Sequence, residues 1–579
     1  MLWPGDRLVT DRRTYVFVFM VLAAMMMLNL LSIRGKSWTY DEPVHLRYGL
    51  QVLDLDSDRF IDGTMPVSAL NAAPAKLAPL FSHGVSLSPL ASRDWGRKVT
   101  MLFSLLVACV VFTWARELYG NTAGLLSLAL YALSPNIIAH SRLVATDVYA
   151  MGMITITLYC FWRFLKFGGL KNATLSALVL GLSQLAKYVA VFLYPVLVVV
   201  VIVRYWPSLR RLLHDRDFSG LGRRFGRAVG SALLFAAVSI LVINAGFLFN
   251  RPFTPLSDYE FRSEGFRSMQ ASLGALSRVP VPLAYPFLEG LDRGRLREET
   301  GRGYGNMYLL GETRELGGFK GYYLFAFLFK VPIAVQILIA IAAVRYIVKR
   351  GKYRFYEDEA FLLCPVIILT IYFNLFFKLQ IGVRHYLVVF PLLHVFCGSL
   401  MKDWRGLGLR VKGLVFGLLV YLVASVLSYF PHYIPYFNEI VWDRKQAYRF
   451  LADSNIDWGQ GADYLTSYLA EHPDVYAKDL DRGLWFIRRY REKHMDEFLD
   501  AELPDSGLVI VSVNNLVGVQ NPHRYKLLRE NYEPIDHLVH AYLLFRISPE
   551  DRLRGGPAPA GEPSDETLPK SAAPGDTGG

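Results

Sequence analysis

The chain has 579 residues, 53% of them hydrophobic and 14% aromatic, with a formal net charge of +12. That apolar load is more than a soluble protein of this length needs to fill its cores, so composition excludes a soluble multidomain protein. The lysines and arginines cluster in short connections between apolar runs, as membrane orientation requires, which excludes a polynucleotide footprint; no nucleic-acid partner is expected.

Eleven charge-poor runs read as spanning helices: 15–33, 98–115, 123–139, 148–165, 173–186, 189–203, 228–249, 322–344, 360–377, 386–400 and 411–430. The first, after Arg12-Arg13, is too long for a signal-peptide core and lacks a small-x-small cleavage site, so it is expected to stay as a helix. Cys109, Cys160, Cys364 and Cys397 lie in or at the ends of these runs without metal-knuckle or disulfide spacing, and read as packing residues. Basic residues mark the N-terminus, 204–227, 345–354 and 402–412 as one side, the cytoplasm. The opposite side then receives outer loops 34–97 and 250–321 and everything after 430.

The expected fold class is therefore an all-α polytopic membrane protein of about 11 transmembrane helices with a small extracytoplasmic α/β domain. Its divisions are 1–430 (membrane), 431–548 (α/β) and 549–579. In the α/β part, 508–513 and 540–547 read as strands and 522–530 as a short helix. The last stretch is rich in Pro, Gly, Ala and Ser and is expected to be disordered.

Asp41 and Glu42, with His45 close behind, stand where the first run leaves the membrane. Asp41 ahead of Pro43 also suits a helix cap. The alternation of sides argues for more, because it puts Arg142, Asp147, Lys187, Lys378, Arg384 and His385 on the same outer face. Ionisable residues at membrane depth are costly and mark a pathway or a site. A lipid-linked phosphate arriving from the bilayer needs such cations, lysine as a mobile point charge and arginine as a fork for phosphate oxygens.

These residues carry a resemblance. Asp-Glu-x-x-His at 41–45, Arg142 to Asp147 in the order Arg-Leu-Val-Ala-Thr-Asp, and Leu185-Ala186-Lys187-Tyr188 resemble the protein O-mannosyltransferase family and its bacterial relatives, the aminoarabinose transferases of lipid A. Pro435-Tyr436-Phe437-Asn438-Glu439 and the stretch 453–460 resemble a bacterial branch of that family. The resemblance implies a GT-C fold and a phospholipid-carrier-dependent glycosyltransferase in the bacterial inner membrane. Such an enzyme moves a sugar from a polyprenyl-phosphate-linked donor to a hydroxyl of a protein, lipid or cell-envelope glycan on the extracytoplasmic face. There are departures. Where the family carries His-Pro-Pro-x-x-Lys, this chain has Asn71-Ala72-Ala73-Pro74-Ala75-Lys76, which keeps one proline and the lysine and loses the histidine. The middle outer loop is also too short for the carbohydrate-binding repeats of eukaryotic members.

The chemistry needs one carboxylate to take the acceptor proton and cations to stabilise the departing phosphate, which as a weak base requires no general acid. The resemblance assigns the base to Asp41. Glu42 is expected to orient the acceptor or the loop, Lys187 and Arg384 to hold the donor phosphate, and Asp147 to position Lys187, Arg142 or a sugar hydroxyl. His45, Arg142, Lys76 and His385 are further donor-site candidates. Direct attack predicts inversion. Asp41, Glu42 and Asp147 offer oxygen ligands for magnesium or manganese, but lysine and arginine already bring the positive charge, so no cofactor is expected. In 453–460, Asp453 and Asn455 suit caps of a helix beginning near Ala462, and Trp458 suits membrane anchoring or sugar stacking. A transporter is the alternative in another class, although repeated halves and interrupted helices are not evident. A noncatalytic envelope assembly scaffold is the other.

Overall fold

The computed structural model describes residues 12–548 apart from 62, 83, 216, 217, 302–304, 350, 352, 403, 478–503 and 505, so the expected tail at 549–579 lies outside the described residues. In chain order the helices are α1 (Arg12–Ser32), α2 (Glu42–Leu53), α3 (Ser68–Phe81), α4 (Pro89–Tyr119), α5 (Asn121–Ala132), α6 (Pro135–Ser141), α7 (Asp147–Phe167), α8 (Leu170–Gln184) and α9 (Leu193–His214). There follow α10 (Phe218–Gly246), α11 (Glu264–Leu273), α12 (Tyr285–Thr300), α13 (Tyr322–Lys330), α14 (Ile333–Val348), α15 (Ala360–Leu375), α16 (Phe390–Cys397), α17 (Leu409–Leu427) and α18 (Ala462–Glu471).

The chain is a multi-pass membrane protein. Among the described residues seven helices are long and apolar enough to cross a membrane, or nine if each of two bent pairs is one span. The eleven runs read from the sequence include two more, α8 and α15, but at 15 and 16 residues these are about 23 Å of helix against a hydrocarbon core of about 30 Å. The helical stretch Val383–Met401 lies at the centre, with 89% of its apolar window buried, whereas α1 has 17% buried and faces the lipid side.

The run 322–344 is not one straight helix: α13 and α14 meet at 113°. Pro332 is the cause, since it forces Val331 out of helix into an extended conformation (φ −92°, ψ 132°). Carbonyls freed by the break must be paired at this depth. Asn438 Nδ2 donates to Val331 O at 2.7 Å, and Gln336 Nε2 to Leu328 O at 2.9 Å. The buried Lys330 Nζ reaches Ile434 O (2.8 Å) and Asn455 O (2.6 Å), tying α13 to the segments that follow α17. A second bend of 63°, between α5 and α6, falls at Ser134-Pro135 for the same reason.

The connection between α1 and α4 is a helical hairpin, α2 against α3, laid on α4. The middle connection adds α11, α12 and a small hairpin of β1 (Met307–Leu309) and β2 (Glu312–Arg314). Its apolar side, including Tyr259, Phe261 and Phe287, packs with Met65, Ile243 and Phe247. Beyond α18 lies an antiparallel three-stranded sheet in the order β3–β5–β4, from β3 (Gly507–Ser512), β4 (Asp536–Leu538) and β5 (Tyr542–Ile547). The sequence reading missed β4, and its helix at 522–530 is observed only as Lys526–Asn531. Tyr525 stands in the left-handed region (φ +57°) and delays the start. This unit docks on the β1–β2 hairpin, Asn306 N donating to Val519 O at 2.6 Å.

Gly49 is where α2 and α3 come closest: a Cβ there would run into the Ser68 carbonyl and lie 2.8 Å from Ala72 Cβ. Gly49→Ala is expected to cost about 1–3 kcal/mol of stability by forcing the hairpin apart. The thermal midpoint of detergent-purified protein measures it.

Candidate active site

Four charged side chains from four separate elements form one chain of ion pairs. Arg384 Nη1 donates to Asp41 Oδ2 at 2.6 Å and stands 3.6 Å from Asp147 Oδ2, and Lys187 Nζ donates to Asp147 Oδ1 at 2.5 Å. The two middle members are buried (Arg384 7% and Asp147 2% exposed), whereas the ends are open, Asp41 at 28% and Lys187 at 22%.

Local structure explains each position. Asp41 holds the N-cap place of α2 but makes no cap hydrogen bond, so its carboxylate is free for Arg384. Asp147 is the first residue of α7, where the helix dipole favours a negative charge. Lys187 lies in an extended link (φ −165°) between α8 and the 3-10 turn Tyr188–Phe192, with the exposed backbone served by Gln184 Nε2 donating to Ala190 O at 3.1 Å. Arg384 enters the 3-10 turn Val383–Val389 right behind Gly382, whose φ of +151° and contact with Ser454 leave no room for a side chain. The guanidinium lies 4.1 Å over the Trp458 ring. That face of Trp458 is thus a support for Arg384.

Glu42, beside Asp41 in sequence, is sealed. Its two oxygens take Arg97 Nε (2.7 Å), Arg97 Nη2 (2.6 Å), Thr39 N (2.8 Å) and Val144 N (3.0 Å). Burial pushes its carboxyl up, but the Arg97 guanidinium and the two amides outweigh that and hold it below the usual glutamate range. Glu42 is a clamp joining the Asp41 link, α4 and the approach to α7.

The other expected residues divide. His45 is buried with Nδ1 3.2 Å from Ser68 Oγ; burial pushes its imidazole down, and Asp41 and Lys187 are among the charges it senses. His385 packs on Phe377 at 5.3 Å, in the field of Asp147 and Arg384. Two do not join the ion chain. Arg142 is buried with Nη1 donating to Ser32 O and Pro431 O, tying α1 to the segment after α17. Lys76 is half exposed on α3 and pairs with Asp54. Asn71, where the resemblance would have histidine, donates to Gly96 O (2.8 Å) and Thr100 Oγ1 (2.7 Å), a packing role.

Several neighbours were not singled out from sequence. Arg97 stands where the second run begins. His140 lies 5.8 Å from the Trp458 ring. Arg384 Nε, His385 Nε2 and His140 Nδ1 are buried atoms with no hydrogen-bond partner, which leaves donor and acceptor capacity beside the ion chain. The stretch 453–460 does not cap α18, whose cap position is Gly461; it is built into the site. Tyr40 N donates to Trp458 O at 3.1 Å and Ser37 N to Gln460 O at 3.2 Å, so the stretch runs alongside the link that ends in Asp41. No group of three or more His, Cys, Asp and Glu suited to a metal ion occurs among the described residues.

Residues 91–214 match the family model described as dolichyl-phosphate-mannose-protein mannosyltransferase. The resemblance read from the motifs is borne out, and the matched segment contains Arg97, Asp147 and Lys187. Among solved structures the chain is similar to the Archaeoglobus fulgidus oligosaccharyltransferase in the apo form, with 15% identity over 72% of this chain and 54% of that one, at a TM-score of 0.44. It thus spans about half the length of that protein. It is also similar to ArnT from Cupriavidus metallidurans bound to undecaprenyl phosphate, with 12% identity over 92% of this chain and 98% of that one, at a TM-score of 0.30. At these TM-scores the likeness assigns no chemistry. No curated protein sequence matches.

Glu42→Gln leaves a buried guanidinium without its counter-charge and is expected to cost about 3–5 kcal/mol of stability. Asp41→Asn is expected to cost less, because Arg384 keeps Asp147. Glu42 has a depressed folded-state value, so its contribution is full above the ordinary glutamate range and is lost as pH falls below it. Thermal midpoints of both variants between pH 4 and pH 7, set beside the native chain, check the order and the sign.

Proposed function

We propose that this chain is a membrane glycosyltransferase that moves a sugar from a polyprenyl-phosphate donor to an acceptor hydroxyl, at the membrane face opposite its basic connections. The observation that supports this most is the ion chain with two open ends: the Asp41 carboxylate at one end, Lys187 at the other, and between them a buried arginine shared by Asp41 and Asp147. A donor phosphate entering from the bilayer side meets Lys187 and takes one arm of Arg384. Drawing the guanidinium toward phosphate releases Asp41, which then faces the acceptor. The family match supports a polyprenyl-phosphate donor as the class.

In the step itself Asp41 takes the acceptor O–H proton while that oxygen forms its bond to the anomeric carbon. The bond from that carbon to the phosphate oxygen breaks, and the polyprenyl phosphate leaves with the electron pair, its charge stabilised by Arg384 and Lys187. One displacement inverts the anomeric centre. Asp147 never reaches the substrate: buried between the two cations, it holds them at a fixed spacing. His45, His385 and His140 line this space, with His385 and His140 offering their unpartnered nitrogens to sugar hydroxyls.

Purified protein with host membrane extract and radiolabelled polyprenyl-phosphate sugars is expected to label an acceptor. Asp41→Asn is expected to lose transfer by about a hundred- to ten-thousandfold while still binding donor. Undiminished transfer by Asp41→Asn, or a glycosyl group found covalently on Asp41, contradicts this mechanism.

A further inference from the structure

The turn from Ala452 to Trp458 grips the backbone on which Arg384 stands. Ser454 Oγ donates to Ile381 O, and Val383 N donates to Asn455 Oδ1 at 3.0 Å. Between those two bonds lies Gly382, where a Cβ would run into Ser454 Oγ, so the two segments are in direct contact. Further along the same turn, the centre of the Trp458 ring lies 4.1 Å from the Arg384 guanidinium carbon. One turn thus holds the approach to Arg384 and supports its head.

Asn455 is the centre of this grip, and it is fully buried. Val383 opens the 3-10 turn Val383–Val389, so its N–H has no acceptor within that turn, and Asn455 Oδ1 supplies one. The amide nitrogen donates to Tyr322 Oη and to Ala452 O, both at 2.9 Å, and the Asn455 carbonyl accepts from the buried Lys330 Nζ at 2.6 Å. Chemistry fixes which way the amide points. The Val383 N–H can only donate and the Ala452 carbonyl can only accept, so the oxygen faces Val383 and the nitrogen faces Ala452.

Resting on the transferase reading, we propose that Asn455 is a positioning residue of this site: its side-chain amide fixes the backbone ahead of Arg384, so that the guanidinium keeps its aim while Asp41 gives way to the donor phosphate. A guanidinium fork holds phosphate well only when its arms meet the oxygens at hydrogen-bond distance and angle. Once Asp41 is displaced, Asp147 at 3.6 Å and the Trp458 ring are what remain around the head, and neither holds the main chain at 383–384. Asn455 does, through Val383 N. It touches neither the substrate nor the reacting atoms and acts only through Arg384. Tyr322 and Lys330, which hold Asn455 in turn, both belong to α13, so the bent pair α13 and α14 shares in setting the aim.

The test is a double-mutant cycle on the full-length purified chain, read as binding of a fluorescent short-chain polyprenyl phosphate. Asn455→Ala is expected to weaken binding about tenfold, the worth of one charge-assisted hydrogen bond from a fork that has lost its aim. In the Arg384→Gln background the same substitution is expected to change binding less than about twofold, because a residue that acts through Arg384 has nothing left to act on. A residue needed only for packing weakens binding by the same factor in both backgrounds, and that result overturns the proposal, as does native affinity in Asn455→Ala. Tyr322→Phe, which removes one partner of the Asn455 amide and leaves Val383 N its acceptor, decides the matter where Asn455→Ala does not fold. It is expected to bind about threefold more weakly with Arg384 present and to add no loss to Arg384→Gln; equal losses in the two backgrounds overturn the proposal. Either form of additivity leaves the transferase reading intact. A native chain that neither binds the polyprenyl phosphate nor turns over any donor overturns both.

Discussion

Arg384 is a buried cation at the end of a helical stretch in an apolar bundle, and a charge in that position is stable only if it is paired. Two carboxylates share it, Asp41 at 2.6 Å and Asp147 at 3.6 Å, and the Trp458 ring supports its face. Everything that brings those groups together is constrained by this one pairing. The link before α2, the start of α7, the break before Tyr188 and the turn after α17 must all end at the same place. That convergence also makes the site responsive, because an arginine with one arm engaged and Nε unpartnered can exchange a carboxylate for a phosphate at little electrostatic cost.

Interrupted helices are what allow it. A continuous α-helix satisfies its own backbone and presents side chains only sideways; a broken one ends, and its terminal residues point along the axis. Lys187 and Arg384 both sit at such breaks, and Asp147 opens a helix. The freed carbonyls are answered by Gln184, Gln336 and Asn438, and Lys330 at the same break satisfies the irregular backbone after α17 at Ile434 O. These polar residues look anomalous in apolar sequence. Their place in the structure is to keep the irregular backbone satisfied.

Much of the membrane architecture was legible, because apolar runs and basic connections leave a strong linear signal. Asp41, Asp147, Lys187 and Arg384 stood out for the same reason, as charges at the ends of apolar runs. What the linear pattern could not carry was pairing. Asp41 and Glu42 are adjacent and chemically alike, yet one faces Arg384 and the other is locked on Arg97, a difference fixed by residues more than 50 positions away. Arg142 and Lys76 were drawn to the site by motif position; their actual partners, backbone carbonyls and Asp54, have no signature in sequence. The turn at 453–460 read as a cap because its polar residues precede a helix, and only the fold shows it lying against the Asp41 link and Gly382.

Whether this ion chain receives a lipid-linked phosphate is measured directly by equilibrium binding of a fluorescent short-chain polyprenyl phosphate to purified protein. Saturable binding is expected of the native chain. Arg384→Gln and Lys187→Gln should each weaken it about tenfold or more, the worth of one charge-assisted hydrogen bond, while Lys76→Gln leaves it unchanged. Equal binding by the Arg384 and Lys187 variants would contradict the account and place the phosphate elsewhere.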